Sequence, residues 1–204
     1  MVHLQNTGKE AYAIACKFVQ EKFPYCYAAF LTGSSVDGTY TEESDVDIAI
    51  ILKENDYMHI EMVNFEHNKI QFILFPLDNI ANVLWQDYFK RKVVYISMLS
   101  KALIIKDTTD FLLNLTESAK TLFYSSAPPM KQLQSQNSRN EIYAMLSDVR
   151  GAKNDFSKNV FLVPELLQRF CKFILEYNQI WFISNKQLFL DVKEYLRWPN
   201  FHGH

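Results

Sequence analysis

The sequence predicts an α+β protein, in which a mixed sheet with flanking helices is followed by a C-terminal helical bundle. Three observations indicate this. Short runs rich in β-branched and aromatic residues occur only as far as Lys106. Beyond that point apolar residues recur only at the three-to-four-residue spacing of helices. The 204 residues are 49% hydrophobic, enough to bury a core. We therefore predict an α/β domain over residues 1–108 and a helical domain over 109–204.

The first half reads as one helix, a set of strands, and a second helix before the last strand. An amphipathic N-terminal helix is predicted to end before Pro24, where helix formation stops. A helix rich in aromatic residues is expected over residues 78–98. The predicted strands are Tyr25–Leu31, Val46–Leu52, the two arms of a hairpin at Tyr57–Phe65 and Lys69–Phe75, and Ala102–Lys106.

The second half reads as helices separated by breakers. A first helix is expected to follow Asp107 or Thr108, either of which can cap it. Ser138 and Glu141 have the spacing of a capping box and predict the start of a second helix. Pro164 suits the first turn of a third helix, and the last apolar stripe begins at Leu188.

Composition excludes several classes of protein. The 21 Lys and Arg side chains are balanced by 23 Asp and Glu, so the net charge of −2 gives no general attraction for nucleic acid. Three cysteines without a C-x-x-C pair indicate neither a disulfide framework nor a zinc ribbon. No export signal or membrane-spanning apolar stretch is recognisable. We expect a cytoplasmic protein with no membrane partner.

The informative stretch runs from Leu31 to Ile48. A strand ends in the small-residue turn Gly33-Ser34, and a polar loop then leads to a second strand that carries Asp45 and Asp47. Residues two apart on a strand project to the same face, so one divalent cation can bridge the two carboxylates. Magnesium prefers carboxylate oxygens and completes its coordination with water and substrate phosphates. The glycine leaves backbone N–H donors open to phosphate, and the serine adds a hydroxyl.

The same residues also have a purely structural interpretation. Small residues after a strand are common in turns, and an Asp-Val-Asp segment can be a solvated strand edge. However, Asp45 and Asp47 interrupt an otherwise apolar run, where two like charges are costly unless a cation neutralises them. The combined pattern therefore favours a metal and phosphate site.

These motifs resemble those of the DNA polymerase β-like nucleotidyltransferases, which include minimal and aminoglycoside nucleotidyltransferases. The resemblance implies transfer of a nucleoside monophosphate from a Mg²⁺-bound nucleoside triphosphate, expected to be ATP, to an acceptor hydroxyl. It implies that Asp45 and Asp47 are catalytic and bind the metal, and that Gly33, Ser34 and Ser44 bind the nucleotide. The acceptor, a small molecule or a macromolecule, stays open, and a homodimer is possible.

The chain departs from the family at the third acid, which the family carries on a later strand. Gln71 stands there, and an amide cannot take a proton. Glu61 is the nearest acid on the other hairpin arm, but we expect its cross-strand partner to be even-numbered, so that it faces away from Gln71. The alternative function is therefore a catalytically weak or inactive nucleotide-binding or interaction protein, similar to an antitoxin.

Two further positions bear on activity. In similar enzymes the base can come from the helical domain, which makes Glu141 or Asp148 a candidate, although a solvated helix residue is the favoured explanation for each. Asp37 stands where many small family members have a basic residue. A carboxylate beside a triphosphate is repulsive unless it points away.

Overall fold

A five-stranded mixed sheet organises the first part of the chain. In the computed structural model, which describes residues 6–41 and 43–197, the strand order is β3-β4-β2-β1-β5. Strands β2 and β4 are parallel, and the other neighbours are antiparallel. The strands are β1 (Ala28–Thr32), β2 (Val46–Leu52), β3 (His59–Phe65), β4 (Asn68–Pro76) and β5 (Leu103–Asp107).

Eight helices are defined within the described residues. They are α1 (Asn6–Lys22), α2 (Ser34–Asp37), α3 (Ile80–Lys90), α4 (Val94–Ser100), α5 (Phe111–Tyr124), α6 (Gln132–Gly151), α7 (Phe156–Tyr177) and α8 (Leu188–Arg197). The sheet followed by helices confirms the predicted fold class. None of these helices combines the length and hydropathy that crossing a membrane requires.

The sheet buries both of its faces, because each strand alternates its side chains between two apolar clusters. Phe18 of α1 packs with Ile48 and Ile50 of β2 on one face. Ala49 and Ile51 of the same strand pack on the other face, in a cluster that also contains residues of α3, α4 and α5. This explains why β2 reads as a continuous apolar run, and the prediction Val46–Leu52 for this strand is confirmed.

The helix predicted over residues 78–98 is in fact two helices, α3 and α4. The break contains Arg91, whose φ of 54° lies in the left-handed region. The Asp87 carboxylate accepts hydrogen bonds from the backbone N–H groups of Tyr95 and Ile96, at 2.5 and 3.1 Å. Asp87 thus satisfies free donors in the first turn of α4, which gives the second helix its own start.

The chain divides into two compact units. The first extends to Asp87 and resumes at Tyr95–Tyr124, and the second comprises Tyr88–Val94 and the chain from Ser125 onward. The core of the second unit contains Leu175 of α7, Phe182, and residues of α8. The division at residue 108 expected from the sequence stays a prediction.

Two helix starts predicted in the second unit are wrong. Helix α6 begins before Ser138, which is buried inside it and accepts a hydrogen bond from Arg169 Nη2 at 2.9 Å. Pro164 lies inside α7. That helix begins earlier because the Asp155 side chain accepts the backbone N–H of Lys158 at 3.1 Å.

Candidate active site

Four residues form a row across four strands of the sheet. Thr32 of β1 pairs with Asp47 of β2, which pairs with Gln71 of β4, which pairs with Met62 of the edge strand β3. Directly paired residues project from the same face of a sheet. The row, here named the Asp47 row, therefore lies on the face that α3, α4 and α5 cover further along the strands, with Asp47 between Thr32 and Gln71.

Gly33 is fitted closely to Asp47. A Cβ atom on Gly33 would lie 2.1 Å from Asp47 Oδ2, and the backbone there has a φ of +71° and a ψ of −153°. This conformation is essentially restricted to glycine. The structure therefore brings together the predicted turn and one of the predicted acids. It also refines the role of the glycine, because the missing side chain makes room for the carboxylate itself.

Gln71 contacts the same carboxylate from the other side. Its Nε2 donates a hydrogen bond to Asp47 Oδ1 at 3.2 Å, and both side chains are half-buried. A neutral amide thus occupies a position from which a third acid would reach the site. Glu61 pairs with Phe72 and faces the opposite side of the sheet, which confirms the prediction for this residue.

The remaining predicted site residues precede β2 or follow β1. Asp45 lies just before β2 and is half-buried. The pKa of Tyr40 is raised, first by burial and then by the negative charges of Asp45 and Glu10. The Ser44 hydroxyl accepts the backbone N–H of Thr41 at 3.0 Å and so holds the loop before β2.

Ser34 begins the short helix α2. Its carbonyl oxygen accepts the backbone N–H of Gly38, which closes this helix. The structure thus brings Gly33, Asp47 and Gln71 into contact and places Ser34 next to Gly33 in the chain. Asp45 is two residues from Asp47, outside the Asp47 row, and its convergence with Asp47 on one cation stays a prediction.

Lys101 was not predicted to lie near the site. It follows α4, and its Nζ lies 3.0 Å from Asp37 Oδ1 in α2. The Thr32 hydroxyl lies 3.4 Å from the Met98 carbonyl oxygen in α4. The end of α4 therefore adjoins the turn at Gly33, and Asp37 is partnered by a cation. A lone lysine between a helix and a strand carries no motif, so only the tertiary contact reveals it.

The donor set fits one Mg²⁺ ion better than two. Asp45 and Asp47 supply carboxylates, and Mg²⁺ commonly takes one or two of these together with water and substrate phosphates. Across residues 6–41 and 43–197, no three His, Cys, Asp or Glu side chains are grouped so that they could hold a metal ion. Gln71 supplies no charge for a second ion.

The sequence comparison agrees with this geometry. Residues 14–107 match the family model described as nucleotidyltransferase domain. This part of the chain is a nucleotidyltransferase domain. It contains all five strands, the turn at Gly33, both acids and Gln71. This match confirms the expected resemblance to nucleotidyltransferases.

Among solved structures, the chain is similar to a nucleotidyltransferase-like protein from Exiguobacterium sibiricum 255-15. The two are 11% identical, with a TM-score of 0.49, and the match covers 89% of this chain and 62% of that protein. The chain thus spans less than two thirds of the length of this relative. No curated protein matches the chain.

Proposed function

We propose that the protein transfers a nucleoside monophosphate from a Mg²⁺-bound nucleoside triphosphate, expected to be ATP, to an acceptor hydroxyl. The observation that carries this proposal is the fit of Asp47 into the space that Gly33 leaves. The backbone at Gly33 has a conformation that only glycine adopts readily, and an added Cβ would lie 2.1 Å from Asp47 Oδ2, so the turn and this carboxylate are fitted to each other as one site. Membership of residues 14–107 in the nucleotidyltransferase domain family supports the same conclusion.

Each element of the site has a task in this reaction. Asp45 and Asp47 would hold the ion, which when bound neutralises phosphate charge and orients the triphosphate. The turn at Gly33 and Ser34 would direct backbone N–H groups and a hydroxyl toward phosphate oxygens. Ser44 stabilises the loop that leads to Asp45 through its bond to Thr41. These groups bind and align the triphosphate.

The chemical step also needs a proton acceptor. The acceptor oxygen forms a bond to the α-phosphorus, the bond to the leaving pyrophosphate breaks, and the hydroxyl proton passes to a base. Gln71 cannot take that proton. Of the two candidates on α6, Glu141 is paired with Arg169, with Oε2 2.6 Å from Nε, whereas Asp148 is exposed. Both residues stay candidates for the base, as predicted from the sequence.

The test separates binding from transfer. Calorimetry with Mg²⁺ and a non-hydrolysable ATP analogue measures binding, and pyrophosphate release with each nucleoside triphosphate and a panel of acceptors measures transfer. We expect the wild type to do both and Asp45→Asn and Asp47→Asn to lose both while remaining folded. Full activity in either variant would contradict the proposed site.

A second candidate function is a nucleotide-binding protein that does not transfer. The hydrogen bond from Gln71 to Asp47 favours it, because an amide fills the position of the third acid. This candidate predicts triphosphate binding without turnover, and turnover only after Gln71→Glu. Turnover by the wild type would eliminate it. Copurification of a second chain would indicate an antitoxin-like role.

A further inference from the structure

We infer that Lys101, which directly follows α4, binds the triphosphate while neutralising Asp37 beside the turn at Gly33. This inference rests on the proposed function, because it names a further contact of the same site. Asp37 is tied to the turn at Gly33, because its backbone N–H donates a hydrogen bond to the Gly33 carbonyl oxygen at 3.1 Å. Lys101 reaches Asp37 from a different element, at 3.0 Å.

One contact of Lys101 and one contact of α4, the helix that it follows, place the lysine near the turn. One is its ion pair with Asp37. The other lies one helical turn earlier in α4, where the Met98 carbonyl oxygen is 3.4 Å from the hydroxyl of Thr32, the neighbour of Gly33 in the chain. The C-terminal end of α4, which Lys101 follows directly, therefore lies next to Thr32 of the Asp47 row.

The negative charges near the turn would repel a triphosphate, and Lys101 can offset this repulsion. Asp37, Asp45 and Asp47 all carry negative charge close to where phosphate oxygens would lie, which opposes binding of a triphosphate. Lys101 cancels the charge of Asp37, and an ammonium group has three donors, so it can hold a phosphate oxygen while keeping Asp37. The Lys101 and Asp37 side chains are 34% and 32% exposed, so a ligand can reach both.

The competing explanation is that the pair only fastens α4 to α2. In that case Lys101 would not touch the nucleotide, so its removal would leave nucleotide affinity unchanged. It would also change stability little, because a partly exposed ion pair contributes little to stability. The ring of Phe123 in α5 also contacts the lysine, with its centroid 5.7 Å from Lys101 Nζ. The two explanations therefore differ in affinity rather than in stability.

The test is a double-mutant cycle read by calorimetry with Mg²⁺ and a non-hydrolysable ATP analogue. We expect Lys101→Met to weaken binding about tenfold or more, and Lys101→Arg to stay within about threefold of wild type. Asp37→Asn should tighten binding. Adding Lys101→Met to Asp37→Asn should again weaken binding about tenfold. Equal affinity of Asp37→Asn and the double variant would overturn the inference, since Lys101 would then act only by screening Asp37.

Controls separate the failure of this inference from that of the proposed function. Lys120 forms a comparable exposed pair with Glu117 at 2.7 Å on α5, so Lys120→Met should leave affinity unchanged. If the wild type does not bind the analogue, both proposals fall. If it binds and Asp47→Asn abolishes binding while Lys101→Met does not weaken it, only the role of Lys101 is wrong. Should Lys101→Met fail to fold, Lys101→Gln replaces it in the cycle with the same expectations.

Discussion

The residues on the two sides of the Asp47 carboxylate differ in how closely they fit it and in their charge. On the glycine side, Gly33 leaves room for the carboxylate, and Asp37 is partnered by Lys101. On the glutamine side, a neutral amide donates to the same carboxylate, and the row ends at Met62, which is 58% exposed on an edge strand. The glycine side fits the carboxylate closely and matches the family pattern. The glutamine side has no charged side chain in the Asp47 row, and its last residue is exposed to solvent.

Under the proposed function, nucleotide binding and removal of the acceptor proton depend on different sides of Asp47. Under our proposal, triphosphate binding depends on the turn and Lys101 on the glycine side, and on the metal ligands Asp45 and Asp47. Removal of the acceptor proton needs a base, which the glutamine side does not provide. Substitutions on the two sides should therefore change different observables.

The largest effect is expected for Asp47, which both sides share. Asp47→Asn removes the charge that would hold Mg²⁺ while keeping the shape that fits against Gly33. Binding of the Mg²⁺-dependent ATP analogue should weaken at least about 100-fold in calorimetry. The matched control is Asp56→Asn in an exposed position outside the strands, which should bind as the wild type does. Unchanged binding by Asp47→Asn would remove Asp47 from the site.

Gly33→Ala should damage the glycine side alone. The new Cβ would lie 2.1 Å from Asp47 Oδ2, and the residue has a positive φ. We expect a loss of about 2 kcal/mol or more in unfolding free energy and loss of analogue binding. Gly38→Ala is the control, because that glycine also has a positive φ but no atom within 4 Å of an added Cβ. It should cost about 1 kcal/mol and keep binding. Equal behaviour of the two variants would contradict the fit.

Gln71→Glu should change the glutamine side alone. It places a second carboxylate next to Asp47, where Gln71 Nε2 now lies 3.2 Å from Oδ1. Without Mg²⁺, repulsion should raise the pKa of one of the two carboxyls and lower stability at neutral pH by about 1–2 kcal/mol. Mg²⁺ should restore that stability and increase turnover.

Thermal unfolding with and without Mg²⁺ measures this effect, and Gln20→Glu on the exposed side of α1 serves as the control. A metal-independent stability in Gln71→Glu would show that no cation binds between the two side chains.

The smallest effect is expected for Met62→Thr. Met62 is exposed at the far end of the Asp47 row, so unfolding free energy should change by less than about 0.5 kcal/mol. Analogue affinity should stay within about twofold of wild type, because our proposal puts the nucleotide on the glycine side. A clear loss of affinity would instead place the nucleotide over the glutamine side.

The sequence was sufficient to predict the strands of the sheet and the direction in which Glu61 faces. Strand β2 has its predicted bounds because both of its faces are buried and the apolar run is unbroken. The facing of Glu61 also followed from the sequence, since strand alternation and a tight turn together set cross-strand partners. These features depend on neighbours along the chain or on one hairpin.

The features that the sequence missed depend on tertiary contacts. Asp87 starts α4 from the preceding helix, and Ser138 is engaged by Arg169 rather than opening α6. Capping patterns describe one chain segment, so they cannot reveal a side chain that arrives from another. The contact of Lys101 with Asp37 was hidden for the same reason.

The turn between β3 and β4 has a consequence for how this domain can change. Only Glu66 and His67 separate the strands, and both have a positive φ, so the turn fixes which residues face each other. Inserting one residue here would shift the pairing by one position and exchange the two sides of β3. Glu61 would then point the way Met62 does now, beside Gln71. A single-codon insertion at a surface loop, rather than a substitution in the interior, would thus bring an acid next to Gln71.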